Sequence, residues 1–286
     1  MSKLVLDKSV LIAAPQDMFE KQPFSFLLPD ILLQEIGTEK EEGCKDNCGS
    51  LNERRISSNL KKVMRKVGNT WVDSESAIRW ELERGISASD KNAPCSNLSD
   101  EKKIMEIVSS KDLHHENMKY EDCSARLSSV AHSPKDEQSF QDIRQLKETE
   151  FFRLLRQIFS SPDLQKRITM EVKDIFEKIA SKQGWHVSEQ FNPDPTWLSY
   201  GMILSEMVFL PWKLWKYGDN PAGTRKPANP WFDMKYIAYM AIADGILSAD
   251  IDQLKLAWAC WPEKESSIYY FNTNDHEISQ FHSKWS

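Results

Sequence analysis

The sequence lacks several features that would place it in a membrane or in a secretory pathway. None of its 286 residues fall in an apolar run of about 18, the length that a membrane-spanning helix needs. The first residues also lack the apolar stretch and the cleavage site of a signal peptide. Cysteine is scarce, and an odd count of five favours reduced thiols over a disulfide framework. We therefore expect a cytoplasmic protein that has no contact with membranes.

Zinc ligands and a strong positive charge are also missing. Cys44 and Cys48 are spaced like half of a zinc site, but no further Cys or His pair completes it. The net charge of -6 argues against a broad electrostatic binder of nucleic acid. It leaves room for a local basic surface, because a cluster of acidic site residues would contribute much of the negative charge. With 40% hydrophobic residues, the chain can form a substantial core.

The N-terminal residues predict alternating strands and helices that carry acidic residues. Residues 4–6 are continuously apolar, as in a strand buried on both faces, and this strand ends at Asp7. Residues 24–28 predict a second strand. Asp30 is then placed as the N-cap of a helix that carries Glu35.

The C-terminal residues repeat this arrangement. Residues 231–243 predict a helix that Asp233 opens, and residues 245–248 predict a strand. Asp250 follows this strand and precedes a predicted helix over residues 251–261. A parallel sheet would bring such carboxylates together at the ends of its strands. Because Mg²⁺ and Mn²⁺ prefer hard oxygen ligands, this pattern suits a metal-dependent phosphodiesterase.

These four acidic segments resemble the PIN-domain nuclease family. The matching stretches are LVLDKSVLI with Asp7, LLPDILLQEI with Glu35, DMKYIAYMA with Asp233, and GILSADIDQLKLA with Asp250. The resemblance implies that these four residues are catalytic and bind Mg²⁺ or Mn²⁺. It departs from the family pattern after the first aspartate, where the family commonly has Thr or Ser and this chain has Lys8, followed by Ser9.

The resemblance also implies a fold and a function. The fold is α/β, with a small, mostly parallel sheet formed by residues 1–37 and 219–286. Residues 38–218 are then a large, mainly helical insertion, in which polar stretches near 87–98 and 124–139 are expected to be loops or mobile. The function is a metal-dependent endonuclease that acts on RNA or single strands. Such proteins often serve as toxins or in defence, so a regulatory protein partner is part of the expectation. A homo-oligomer is a further expectation.

Two other functions fit the same residues. One is a catalytically inactive PIN-like module that binds proteins through the helical insertion. The other is a different Mg²⁺- or Mn²⁺-dependent phosphodiesterase that acts on DNA.

Each carboxylate also has a simpler interpretation. Asp233 and Asp250 each fit the N-cap of a helix, and Glu35 fits a solvated helix surface. Asp7 is harder to explain in this way, because a carboxylate that closes an apolar strand is costly unless it is paired or bound to metal. Two further carboxylates are secondary metal candidates, although the second also fits a first-turn helix charge: Asp244 and Asp252.

Basic residues form a second pattern, in the predicted insertion. At about 100° per residue, six of them fall within an arc of roughly 140° on one helix, which we call the basic stripe. They are Arg54, Arg55, Lys61, Lys62, Arg65 and Lys66. The stripe could guide a phosphate backbone to the acidic site, or it could be the solvated face of an amphipathic helix. Other candidates for contacts with nucleic acid are Lys8, Ser9, Ser248, Arg225 and Lys226.

Overall fold

The structure is a computed structural model that describes residues 2–15, 17–32, 55–56, 58–63, 68–90, 93, 96–97, 145–217 and 229–282. The strands are β1 (Lys3–Leu6), β2 (Ser25–Pro29), β3 (Thr70–Val72), β4 (Ser96–Asn97), β5 (Gly245–Ser248), β6 (Ile268–Asn272) and β7 (Glu277–Gln280). The helices are α1 (Lys8–Ala13), α2 (Met18–Lys21), α3 (Ser74–Arg84), α4 (Glu148–Phe159), α5 (Pro162–Gln183), α6 (Leu198–Tyr217), α7 (Asn229–Ala238) and α8 (Ile251–Cys260). Two 3-10 helices lie at Tyr239–Ile242 and Pro262–Ser267.

In the described residues, all the strands join one sheet in the order β4-β3-β2-β1-β5-β6-β7. The five inner strands are parallel to one another, and β4 and β7 pair antiparallel at the two edges. The apolar run Leu4 to Leu6 is fully buried in β1, as expected for a central strand covered on both faces. The α/β class and the mostly parallel sheet are confirmed.

The strand order reverses direction between β1 and β5. From β1 the chain builds β2 and β3 to one side, and it later returns to build β5 and β6 on the other side. In open α/β sheets, the carboxyl ends of the strands at such a switch point are where ligands bind. Asp7 follows β1, and the segment from Ser248 to Asp250 ends β5 and leads out of it.

The predicted insertion at residues 38–218 differs from the structure in one respect. This range does contain helices α3 to α6, but it also contains β3, which pairs in parallel with β2, and β4, which pairs with β3. Buried side chains of α3 to α6 belong to the same hydrophobic core as the strands. The polar stretch 87–98 also includes β4, while 124–139 lies outside the described residues. Sequence composition missed these strands because they are short and lie among polar residues.

Local signals fix the helix boundaries. Asp73 caps α3, since its carboxylate accepts a hydrogen bond from the amide of Ser76 at 2.8 Å. Gly85 ends α3 with a φ of 64°, a left-handed conformation that favours glycine. Pro162 opens α5, and Gly184 closes it with a φ of 70°.

Glu81 joins two of these helices inside the core. Its side chain is fully buried on α3, and its carboxylate accepts hydrogen bonds from the amides of Leu198 at 2.7 Å and Ser199 at 2.9 Å. These amides open α6, where backbone N–H groups have no partner within the helix. The amide of Ala88 adds a third hydrogen bond at 2.9 Å. Burial raises the pKa of Glu81, and these hydrogen bonds oppose the rise.

Candidate functional site

Asp7 lies at the carboxyl end of the central strand. It is 4% exposed and caps α1, because its Oδ2 accepts a hydrogen bond from the amide of Ser9 at 3.2 Å. Its own amide donates to the carbonyl of Leu247 at 3.2 Å, and this bond holds it beside β5. The sheet itself therefore fixes the position of this carboxylate.

Two serine hydroxyls connect Asp7 to the chain that leaves β5. Ser248 donates from its Oγ to Asp7 Oδ2 at 2.9 Å, and the hydroxyl of Ser9 donates to the same oxygen. The amide of Ala249 donates to Ser9 Oγ at 3.0 Å, and the amide of Asp250 donates to Ser248 Oγ at 2.9 Å. Both hydroxyls thus link the end of β1 to the loop that carries Asp250.

Asp250 is exposed and caps α8. Its Oδ1 accepts hydrogen bonds from the amides of Asp252 at 2.8 Å and Gln253 at 3.3 Å. Burial raises the pKa of Asp7, the hydrogen bonds from its two serines oppose the rise, and the negative charge of Asp250 raises it further. The two carboxylates are therefore close enough to repel each other. Asp7, Ser9, Ser248 and Asp250 form what we call the acidic site.

The other two predicted ligands do not complete this site in the described residues. Glu35 lies outside the described part of the chain. Asp233 does not open its helix, because α7 begins earlier, at Asn229. Within the described ranges, no group of three or more His, Cys, Asp or Glu side chains is arranged to hold a metal ion. The structure thus brings together Asp7 and Asp250 but does not group Asp233 with them.

The carboxylates of the two secondary metal candidates bind other groups, and only Asp244 lies away from the acidic site, which corrects the expectation for that residue. Asp244 precedes β5 at the amino edge of the sheet, where its carboxylate accepts a hydrogen bond from the amide of Lys3 at 2.7 Å. Asp252 forms ion pairs with Lys216 at 2.6 Å and Lys255 at 3.1 Å. Burial raises the pKa of Asp252, but the two ammonium groups outweigh burial and hold the pKa below its usual value.

The described part of the basic stripe has the expected orientation. Arg55 and Lys61 are exposed, whereas Ile56, Leu60 and Val63 are buried on the opposite side of their helical segment. Lys62 forms an ion pair with Glu20 at 3.1 Å. The remaining basic candidates lie outside the described residues: Arg54, Arg65, Lys66, Arg225 and Lys226.

Lys8 differs from the expectation of an exposed phosphate contact, because it is only 6% exposed. It is the first residue of α1, directly after Asp7. Its positive charge lowers the pKa of Asp7 by a small contribution relative to burial. Its place is therefore beside the buried carboxylate rather than on the surface.

Sequence reasoning missed a second polar cluster, which also lies at the carboxyl ends of the strands. Asp30 follows β2, the neighbour of β1, and accepts hydrogen bonds from the amide of Ser74 at 2.9 Å and its hydroxyl at 2.6 Å. The buried hydroxyl of Tyr239 also donates to Asp30. Burial raises the pKa of Tyr239, and the charge of Asp30 raises it further. The signal for Asp30 was its place directly after an apolar strand, which was interpreted as a helix cap.

A cavity of about 660 Å³ opens beside the acidic site. Its walls come from the carboxyl ends of β1, β5 and β6, through Ser9, the segment Ala249 to Asp252, and Thr273. Ile12 and Lys255 complete the lining. Ligand pockets in proteins commonly have volumes of about 300 to 1,000 Å³. This volume therefore suits a small organic group.

Comparison with known proteins found no family model that matches the chain, no matching curated protein and no matching solved structure. In the described residues, none of the helices has the length and apolar character needed to cross a membrane.

Proposed function

We propose that this chain is a metal-dependent phosphodiesterase that hydrolyses single-stranded nucleic acid, with RNA as the favoured substrate. The observation that carries the proposal is the carboxylate of Asp7. It is buried at the end of the central strand, and the negative charge of Asp250 repels it. A buried carboxylate with a second negative charge nearby is costly unless a cation or a proton compensates it. A divalent cation at the switch point would provide this compensation.

Both carboxylates keep one oxygen for a ligand. Within the described residues, every hydrogen bond to the carboxylate of Asp7 goes to Oδ2, and every hydrogen bond to the carboxylate of Asp250 goes to Oδ1. These bonds fix the orientation of each side chain. Oδ1 of Asp7 and Oδ2 of Asp250 are thus the oxygens that would bind a cation.

The donor atoms of the acidic site fit Mg²⁺ or Mn²⁺. Asp7 and Asp250 offer carboxylate oxygens, and Ser9 and Ser248 offer hydroxyl oxygens, which are all hard ligands. Mg²⁺ commonly keeps several waters and uses only one or two carboxylates of the protein. When bound, the ion would stabilise the charge that develops on the phosphate oxygens.

The residues of the chain supply the positioning in this proposal. Ser9 and Ser248 hold Asp7 against the end of β5, and the amides of α8 hold Asp250. No side chain has to act as a covalent nucleophile when water attacks the phosphate. Toxin or defence activity and a regulatory partner stay predictions that rest on the resemblance, and a homo-oligomer stays a further prediction.

The test is cleavage of an end-labelled single-stranded RNA, with and without Mn²⁺. Asp7→Asn keeps the shape of the side chain but removes its charge. We expect cleavage to fall by at least about 100-fold, since loss of a residue that only hydrogen-bonds to a metal ligand already costs about 10- to 100-fold. The matched control is Asp244→Asn at the amino edge of the sheet, which should cleave at the wild-type rate. A single-stranded DNA of the same sequence tests the preference for RNA. An Asp7→Asn protein with wild-type cleavage would overturn the proposal.

A second candidate function is a protein-interaction module without catalytic activity. The observation in its favour is that the described residues group two carboxylates, and not three, at the acidic site. A wild-type protein that neither binds Mn²⁺ nor cleaves RNA or DNA would favour this function. Its acidic site would then serve mainly to join β1 to β5.

A further inference from the structure

The cavity beside the acidic site has one apolar wall. Ile251 is the first residue of α8 and remains 47% exposed, and Ile12 from α1 is half-buried on the same cavity. A single exposed isoleucine needs no explanation. Ile12 and Ile251 together, however, give the cavity beside the acidic site an apolar surface. This surface suits a flat, partly apolar ligand.

The positive charge that lines the cavity is already neutralised by carboxylates. Lys255 forms ion pairs with Glu148 and with Asp252 at 3.1 Å, and Asp252 also pairs with Lys216 at 2.6 Å. Two carboxylates therefore share the positive charge of Lys255. A phosphate group would need positive charge that is not already neutralised. The cavity itself is thus better suited to a neutral group with hydrogen-bonding edges than to a phosphate.

We propose that this cavity binds one nucleobase of a single-stranded nucleic acid, next to the phosphodiester that is cleaved at the acidic site. The inference rests on the proposed function and extends it by naming a base pocket, formed by Ile12, Ile251, Lys255 and Thr273. The isoleucines contact the face of the base, and the polar residues contact its edge. Since a paired base is stacked inside a duplex, the pocket selects single strands.

The test combines a protein variant with abasic oligonucleotides. A set of single-stranded RNAs carries one abasic nucleotide at each position in turn, and binding is measured by fluorescence anisotropy in Ca²⁺. With the wild type, we expect one position to bind about tenfold more weakly, because the missing base no longer buries the apolar surface of the two isoleucines. Ile251→Ala should weaken binding of the intact RNA to a similar degree. The abasic change should then have no further effect, because both changes remove the same contact.

The control is Met170→Ala on α5, a side chain that is 63% exposed and does not line the cavity. It should leave binding unchanged. The base pocket is refuted if no abasic position weakens binding, or if the abasic change and Ile251→Ala have additive effects. Cleavage in Mn²⁺ without this coupling would refute the base pocket alone. Coupling without cleavage would refute the phosphodiesterase alone, and absence of RNA binding would refute both.

Discussion

The substitution Asp7→Asn tests two effects of the buried carboxylate separately: its effect on the stability of the metal-free protein and its role in binding a cation. Asparagine has the same shape, and its carbonyl oxygen can accept the hydrogen bonds that Ser9 and Ser248 now donate to Oδ2. It is also among the preferred N-cap residues, so α1 keeps its cap. The substitution therefore removes a buried negative charge with little change in packing.

The sign of the effect follows from the pKa of Asp7. Burial raises this pKa above the 3.8 that is usual for aspartate, and the charge of Asp250 adds to the rise, so the folded state disfavours the ionised form. We expect Asp7→Asn to raise the free energy of unfolding of the metal-free protein by about 1 kcal/mol, the usual size of the effect of a single substitution. Each kcal/mol shifts the Tm by about 2–4 °C in a protein of this size.

The gain should depend on pH in a defined direction. The contribution of Asp7 to wild-type stability is fully present below pH 3.8 and is lost as the pH rises through the higher folded-state pKa. The Tm advantage of the variant should therefore be largest near neutral pH and should shrink as the pH is lowered. Differential scanning fluorimetry at a series of pH values measures this directly.

Mn²⁺ should reduce or reverse the stability advantage of Asp7→Asn over the wild type. If Asp7 holds a divalent cation, Mn²⁺ should raise the Tm of the wild type and leave that of Asp7→Asn unchanged. The matched control is Asp73→Asn, since Asp73 also follows a strand and caps a helix but is solvent-exposed. A lower Tm for Asp7→Asn in the metal-free protein would refute the reasoning about burial. A full Mn²⁺ response in that variant would refute the metal site.

Three further predictions concern the acidic site and the helices around it. Asp250→Asn keeps a helix cap and should change stability by less than about 1 kcal/mol while it abolishes Mn²⁺-dependent RNA cleavage; normal cleavage in this variant would show that Asp250 is only a cap. Glu81→Ala removes two buried oxygens that accept three hydrogen bonds and should lower the free energy of unfolding, measured in urea, by about 3 kcal/mol; a loss below about 1 kcal/mol would contradict the cap on α6. Gly201→Ala would place a Cβ 2.1 Å from the carbonyl oxygen of Ala238, so it should lower the Tm by forcing α6 and α7 apart, and an unchanged Tm would contradict this close approach.

Local sequence signals determined the elements that carry the acidic site. The apolar run before Asp7 predicted β1, and the run at residues 245–248 predicted β5, because strands buried on both faces need continuous apolar residues. Asp73 and Gly85 likewise marked the two ends of α3. These signals act over a few residues, through hydrogen bonds to neighbouring amides and through backbone conformation. They are therefore visible without knowledge of the tertiary structure.

Tertiary structure alone decided which residues share the site. Asp7 and Ser248 are 241 positions apart in the sequence, and parallel pairing of β1 with β5 brings them within hydrogen-bonding distance. The same pairing puts Asp244 at the opposite edge, because a strand of four residues separates it from Asp250. Strand pairing and ion pairs between distant segments depend on how the whole chain packs, and no local pattern encodes them. The sequence thus predicted the acidic residues at the strand ends, and packing selected Asp7 and Asp250 and left Asp244 and Asp252 with other partners.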